Sequence, residues 1–147
     1  MDKKNFKESI HQSLLMQGFK KQRKFFIKEG VDTLVVIDLQ KSNFSNSYYI
    51  NYGFIIMQLH DNNKNVNLGN TDIKLRMRAF IEDKSMPEFD LDNDKLTEEI
   101  LKFSLEKEYK ENIEPSLDTK GLRNLFIKYS GLENSVSPEV RGILNIG

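Results

Sequence analysis

Four stretches of strand-forming residues follow one another between residues 24 and 82, and no helical pattern separates them. They cover residues 24–28, 33–40, 47–59 and 73–82 and are rich in β-branched, aromatic and other apolar side chains. The segments between them contain the Gly, Ser and Asn residues that are typical of turns. Because parallel strands would need long crossover connections, the pattern predicts an antiparallel meander.

A helix is predicted before the strands. Phe6, Ile10 and Leu14 recur every fourth residue, which is the spacing of one helix face, and they predict a helix over residues 4–17. Gly18 lies where a left-handed C-cap residue is expected. We expect the apolar face of this helix to pack on the sheet.

Further helices are predicted after the strands. Thr97 is a good N-cap residue, and the apolar stripe that follows it predicts a helix that ends before Pro115. Two more helical patterns start near Leu122 and at Ser137. The predicted fold class is α+β, with an N-terminal helix, a four-stranded antiparallel meander and two or three C-terminal helices in a two-layer sandwich. Because no linker-like segment interrupts residues 1–147, we expect a single domain.

The composition excludes several kinds of protein. The chain of 147 residues contains no Cys, which excludes disulfide frameworks, thiolate metal sites and cysteine nucleophiles. Its 22 Lys and Arg balance its 22 Asp and Glu, whereas proteins that coat nucleic acids or anionic membranes usually carry surplus positive charge. The apolar runs are too short to cross a bilayer, and the charged N-terminus is not typical of a signal peptide. We therefore expect a cytoplasmic protein that binds neither membranes nor nucleic acids.

Motifs for metal binding and catalysis are incomplete. Residues 90–94 have the acidic spacing of a calcium loop, but Lys95 stands where the loop needs Gly and Leu101 where it needs Glu. Neither His11 nor His60 has a carboxylate at metal-site spacing on the same helix face. The sequence has no Gly-rich phosphate loop and no Gly-x-Ser-x-Gly turn. We therefore expect no bound metal, no cofactor and no catalytic residue, and on balance no enzyme activity.

Six polar residues are predicted to share one face of the sheet. If residues 34–41 and 48–58 form a hairpin, Asp38 falls near Asn51. Two positions along the same face, Gln40 then falls near Tyr49. The 73–82 strand, placed beside the second strand of this hairpin, adds two arginines to the same face. The candidate binding residues are Asp38, Gln40, Tyr49, Asn51, Arg76 and Arg78. Such a group can bind a carboxylate, a phosphate or a partner's polar surface, or it can be an ordinary solvated sheet face.

The zero net charge conceals two oppositely charged segments. Residues 1–30 contain eight basic and three acidic residues, a net charge of +5. Residues 82–118 contain five basic and 13 acidic residues, a net charge of −8. These segments either steer a charged partner or are solvated helix faces that lie against each other.

A set of motifs between residues 18 and 78 carries a family resemblance. The motifs are Gly18-Phe19-Lys20-Lys21 after the first helix, Val36-Ile37-Asp38-Leu39-Gln40-Lys41-Ser42-Asn43-Phe44, Tyr49-Ile50-Asn51-Tyr52-Gly53 and a strand that ends at Arg78. They resemble a bacterial family catalogued as domain of unknown function (DUF) 4304. The resemblance covers about residues 4–85, and the helical part, about 86–147, is less similar.

This resemblance implies the fold rather than an activity, because the family has no established function. Members of the family often have Cys or His before the Arg-bearing strand and Trp near the turns. This chain has Asp72 and Phe44 at those places. The resemblance therefore implies no metal or thiol chemistry here.

Two functions are consistent with the sequence. The first is a non-catalytic protein-interaction module that binds an unknown protein through the polar sheet face or the acidic segment, by analogy an immunity protein that neutralises a toxin. The second is a domain or enzyme that binds a small molecule or anion through the polar sheet face. A convergent pocket on that face would favour the second function, and a flat exposed face would favour the first.

Overall fold

Helices and strands are segregated along the chain in the computed structural model, which describes residues 1–60 and 70–146. The strands are β1 (Lys20–Gln22), β2 (Phe25–Glu29), β3 (Thr33–Lys41), β4 (Ser47–Ile56), β5 (Ile73–Arg76), β6 (Ala79–Ile81), β7 (Lys84–Met86) and β8 (Phe89–Asp90). The helices are α1 (Lys3–Met16), α2 (Glu98–Glu108), α3 (Thr119–Lys128) and α4 (Pro138–Leu144). This arrangement confirms the predicted α+β fold class.

The main sheet is antiparallel, with the strand order β1-β2-β3-β4-β5, and β8 pairs with the start of β4. Its centre is the β3–β4 hairpin, which pairs continuously from Thr33 opposite Ile56 to Lys41 opposite Tyr48. The predicted strands 24–28, 33–40 and 47–59 correspond to β2, β3 and β4. The short strand β1, which the sequence did not predict, covers the edge of β2 with exposed Lys and Gln side chains. Charged residues on an edge strand disfavour pairing with another chain.

The predicted strand 73–82 is divided into two strands. β5 pairs with β4, with Arg76 opposite Asn51, whereas β6 pairs with β7 in a separate hairpin. Met77 and Ala79, on either side of the division, are both fully buried, as the alternation predicted. The alternation therefore predicted the buried face correctly and the continuity of the strand incorrectly.

One face of the sheet carries the helices. The alternation in the hairpin predicted its core-facing residues, and all except the half-buried Leu39 are buried: Val35, Ile37, Ile50, Tyr52, Phe54 and Ile56. They form one cluster with apolar residues of all four helices, among them Phe6 of α1 and Leu105 of α2. A smaller apolar cluster occupies the opposite face and consists of Phe25, Leu34, Val36, Ile55 and Met57.

Side-chain caps begin the C-terminal helices. Thr97 Oγ1 accepts the backbone N–H of Ile100, and Ser137 Oγ accepts that of Val140, as predicted for both helix starts. After Glu108 the helix continues as a π-helical turn, Tyr109–Ile113. None of the helices in the described residues is both long enough and apolar enough to cross a bilayer.

Candidate functional site

Asn51 lies at the centre of a hydrogen-bond network on the outer face of the sheet. It stands opposite Asp38 of β3 and opposite Arg76 of β5. Its Nδ2 donates to Oδ1 of Asp38 at 3.1 Å and to Oε1 of Gln40 at 3.0 Å. Its Oδ1 accepts from Nε of Arg76 at 3.1 Å. Both donors and the acceptor of this side chain are therefore used.

Tyr49 completes the network by stacking with Arg76. The guanidinium carbon of Arg76 lies 4.0 Å from the centre of the Tyr49 ring, which is a close cation–π contact. Tyr49 also stands opposite Gln40, as predicted. Five of the six predicted site residues thus lie together, and we call Asp38, Gln40, Tyr49, Asn51 and Arg76 the polar face.

Arg78 does not join the polar face. The chain leaves β4 at Met77, whose N–H donates to the carbonyl of Ile50 at 2.8 Å. Arg78 follows the division of the strand, and its Nε and Nη2 donate to Oγ and the carbonyl of Ser85 at 2.9 and 3.0 Å. Its guanidinium group therefore stabilises the β6–β7 hairpin, and the expectation that both arginines would share one face is wrong for Arg78.

The polar face is an exposed surface of the sheet. Gln40 and Arg76 are exposed, and Asp38, Tyr49 and Asn51 are half-buried. Their polar groups satisfy one another across three adjacent strands. Such a surface has the aromatic and Arg groups that are enriched at protein interfaces.

The tight approach of β5 explains the glycine near Asn51. A Cβ atom at Gly53 would lie 2.8 Å from the carbonyl oxygen of Ile73 and 2.8 Å from side-chain atoms of Thr71. The hairpin register is continuous at this point, so no bulge is needed to account for Gly53 or for Asn51. Asn51 lies inside the strand because its amide connects three neighbouring side chains.

The turn between β3 and β4, which adjoins the Gln40–Tyr49 end of the polar face along the chain, presents an exposed aromatic side chain. Phe44 is 97% exposed. The turn around it is held by the backbone bond from Ser42 N to the Ser47 carbonyl at 2.9 Å and by Lys41 Nζ, which donates to the Ser45 carbonyl at 2.6 Å. A fully exposed Phe on a hydrogen-bonded turn is available to a partner without reorganisation of the backbone.

The two oppositely charged segments lie side by side, because α1 packs against α2. Ser9 Oγ donates to Oε1 of Glu98 at 3.2 Å, and this contact joins the two helices. In the described part of the chain, however, no lysine or arginine of residues 1–30 forms an ion pair with a carboxylate of residues 82–118. The helices are therefore adjacent, and both charged surfaces remain available to solvent or to a partner.

Glu108 forms a buried polar network that the sequence did not reveal as a candidate site. Its side chain is 2% exposed, and Oε1 accepts the backbone N–H of Arg78 at 3.1 Å. Its Oε2 accepts Nδ2 of Asn112 at 2.7 Å and the hydroxyl of Tyr52 at 3.3 Å. Lys128 Nζ donates to Oδ1 of Asn112 at 2.8 Å and extends the network to α3. The network thus joins β4, the divided strand, α2 and α3.

Burial dominates the acid–base properties of this network. It raises the pKa of Glu108, and the hydrogen bonds from Asn112, Arg78 and Tyr52 oppose the rise. Burial, together with the nearby Glu108 carboxylate, also raises the pKa of Tyr52. Helical periodicity in the sequence could have revealed this network. Glu108 and Asn112 lie on the same helical face as Leu101 and Leu105, which places polar side chains on the buried face.

The histidines and acidic residues form no metal site in the described ranges. His60 Nε2 lies 3.0 Å from both carboxylate oxygens of Asp72, and Oδ2 of Asp72 also accepts the backbone N–H of Ile56 at 2.8 Å. Residues 1–60 and 70–146 contain no group of three or more His, Asp or Glu side chains placed to hold a metal ion. The His60–Asp72 pair therefore connects the end of β4 to the start of β5.

The fold is α+β, with an antiparallel sheet that carries the helices on one face and both the polar face and the smaller apolar cluster on the other. A family model for a domain of unknown function, DUF4304, matches residues 10–119. The chain belongs to this family. The match includes α2 and the π-helical turn, so it extends beyond the residues whose motifs resemble the family. No curated protein and no solved structure matches the chain.

Proposed function

We propose that this protein is a non-catalytic interaction module of the bacterial cytoplasm that binds another protein through the polar face and the adjacent Phe44. The observation that carries the proposal is the stacking of Arg76 on Tyr49 at 4.0 Å on an exposed sheet surface. Tyr and Arg are the residue types, together with Trp, that most often dominate the binding free energy of protein interfaces.

The internal hydrogen bonds of the polar face support this function further. Because Asn51 holds Arg76 and Gln40 in place, little side-chain entropy remains to be lost on binding. The carboxylate of Asp38 and the terminal nitrogens of Arg76 can still pair with opposite charges on a partner. Such charges favour specificity and rapid association.

The alternative, a small-molecule or anion site on the same face, has less support. Nε of Arg76 already donates to Asn51, and the Asp38 carboxylate on the same patch disfavours an anion. Gln40 and Arg76 are also exposed rather than enclosed in a pocket wall. A thermal-shift screen with anionic metabolites should therefore show no stabilisation that depends on Arg76, and stabilisation lost in Arg76→Ala would favour the alternative.

Affinity purification from the native host tests the interaction directly. The tagged wild-type chain should retain one partner in a fixed molar ratio, and the variant Tyr49→Ala/Arg76→Ala should lose it. The matched control Phe103→Ala/Lys110→Ala removes an exposed aromatic side chain and a cation from the acidic segment and should retain the partner. A partner retained by the first variant and lost by the control would place the interface on the acidic segment instead. If a toxin is encoded beside this gene, it is the first partner to co-express.

A further inference from the structure

Five lysines from separate segments of the chain line one groove between α1 and the sheet. They are Lys3 and Lys7 of α1, Lys21 of β1, Lys24 of the following turn and Lys41 of β3. The groove has a volume of about 480 Å³, which lies in the range of small-molecule sites. Among its described lining residues Glu8 is the single carboxylate, so five positive charges face one negative charge.

Helix and strand periodicity bring these lysines together. Lys3, Lys7 and His11 recur every fourth residue and therefore lie along one flank of α1. Lys41 stands opposite Tyr48 on the helix-facing side of the hairpin, whereas Gln40 and Tyr49 point to the other side. The groove and the polar face are thus on opposite faces of the same hairpin and can be tested independently.

The charges of the groove are not neutralised within the described residues. Lys3, Lys7, Lys21 and Lys24 form no ion pair in residues 1–60 and 70–146, and Lys41 donates only to backbone carbonyls of its own turn. Ammonium groups gathered in one groove repel one another. A ligand with several negative charges would remove this repulsion.

The floor of the groove supplies aromatic surface and a free donor. Lys21 Nζ lies 4.5 Å from the ring centre of Phe26, and Lys7 and Lys41 lie 5.8 and 5.6 Å from that of Tyr48. Tyr48 is 3% exposed, and its hydroxyl forms no hydrogen bond to the residues that the structure describes. The groove therefore combines several cations with an unused hydroxyl donor, which is the set of groups that phosphate oxygens need.

We propose that this groove binds a small anion that carries several phosphate groups. A small ligand fits better than a nucleic acid because the volume of about 480 Å³ matches a small molecule and the whole chain has no net charge. The neighbouring acidic helix also opposes a long polyanion, since Glu98 lies within hydrogen-bond distance of Ser9 on α1.

Titration calorimetry with inorganic tripolyphosphate at about 0.15 M salt tests the proposal. The wild-type chain should bind one tripolyphosphate, and the variant Lys7→Gln/Lys21→Gln/Lys41→Gln should bind it at least about tenfold more weakly. The control Lys74→Gln/Lys110→Gln/Lys120→Gln removes the same charge from exposed lysines outside the groove and should change the affinity less than about twofold. Circular dichroism and thermal unfolding of both variants would show that each remains folded.

Three results would overturn the proposal. The first is the absence of tripolyphosphate binding by the wild-type chain. The second is an equal loss of tripolyphosphate affinity in the groove variant and the control, which would show that the anion binds to positive charge anywhere on the surface and not to the groove. The third is tighter binding of a single-stranded oligonucleotide than of tripolyphosphate, lost in the same groove variant, which would make the groove a nucleic-acid site.

Discussion

Tyr52 of the sheet donates a hydrogen bond to Oε2 of Glu108 in α2, and the two side chains are 1% and 2% exposed. A carboxylate at this depth is tolerated because three donors converge on it: the Tyr52 hydroxyl, the Asn112 amide and the backbone N–H of Arg78. The contact fixes the position of α2 on the sheet, and its strength should depend on pH.

Glu108→Gln should remove one component of the pH dependence of stability. Because burial raises the folded-state pKa of Glu108 above 4.5, the folded state holds this proton more tightly than the unfolded state. Its contribution to the free energy of unfolding is therefore complete below about pH 4.5 and is lost as the pH rises through the raised pKa. Urea unfolding at a series of pH values gives the free energy of unfolding of the wild type and of Glu108→Gln. The wild-type value minus the variant value should fall as the pH rises. A constant difference would contradict the assignment.

Glu108→Ala should be severely destabilising. It leaves the Tyr52 hydroxyl, the Asn112 amide and the Arg78 N–H without their acceptor, at an expected cost of about 3 kcal/mol in the free energy of unfolding. The control Glu111→Ala removes an exposed carboxylate that pairs with Lys107, and it should cost less than about 1 kcal/mol. Similar losses in the free energy of unfolding of the two variants, measured with urea, would show that the hydrogen bonds of Glu108 do not stabilise the fold.

Gly53→Ala should destabilise the sheet by about 1–3 kcal/mol. The added methyl group would lie 2.8 Å from the Ile73 carbonyl oxygen, so β5 would have to move away from β4. Gly142→Ala is the matched control, because a Cβ atom there meets nothing within 4 Å inside α4. It should stabilise the protein by about 0.5–1 kcal/mol through helix propensity. Thermal or urea unfolding of the two variants should therefore show changes of opposite sign.

A double-mutant cycle measures the contact between Tyr49 and Arg76. Their Ala substitutions should show a coupling of about 0.5–1 kcal/mol in urea unfolding. The same cycle with Tyr49 and Arg78 should show coupling below about 0.3 kcal/mol, because Arg78 contacts Ser85 instead. Equal coupling in the two cycles would contradict the separation of the arginines.

Local patterns predicted the centre of the sheet well. Alternation in β3 and β4, together with the short turn between them, sets the register that places Asp38 opposite Asn51. Because that register is determined within one hairpin, the sequence identified four residues of the polar face, Asp38, Gln40, Tyr49 and Asn51. The fifth, Arg76, followed from placing the next predicted strand beside β4. The cap residues Thr97 and Ser137 were equally predictable, since capping depends only on neighbouring backbone groups.

Features that depend on distant segments were not predictable. The strand divides after Met77 because its next backbone N–H groups donate to side chains of α2 and not to β4. The N–H of Arg78 donates to Glu108, and that of Phe80 donates to Ser104 Oγ at 2.9 Å. No residue near Arg78 in the sequence indicates that these backbone groups will bond to α2. The lysine groove is likewise formed by residues of α1, β1, the following turn and β3. The sequence showed only the net positive charge of residues 1–30, not that these lysines meet in one groove.

Site-specific photocrosslinking to the co-purified partner tests the proposed interface most directly. A photoreactive amino acid replaces Phe44 beside the polar face or, as controls, Phe103 of α2 and Ile127 of α3, which are 97%, 54% and 83% exposed. We expect a partner crosslink at position 44 that Tyr49→Ala/Arg76→Ala abolishes, and no crosslink at positions 103 and 127. Crosslinks at 103 or 127 without one at 44 would contradict the proposed interface.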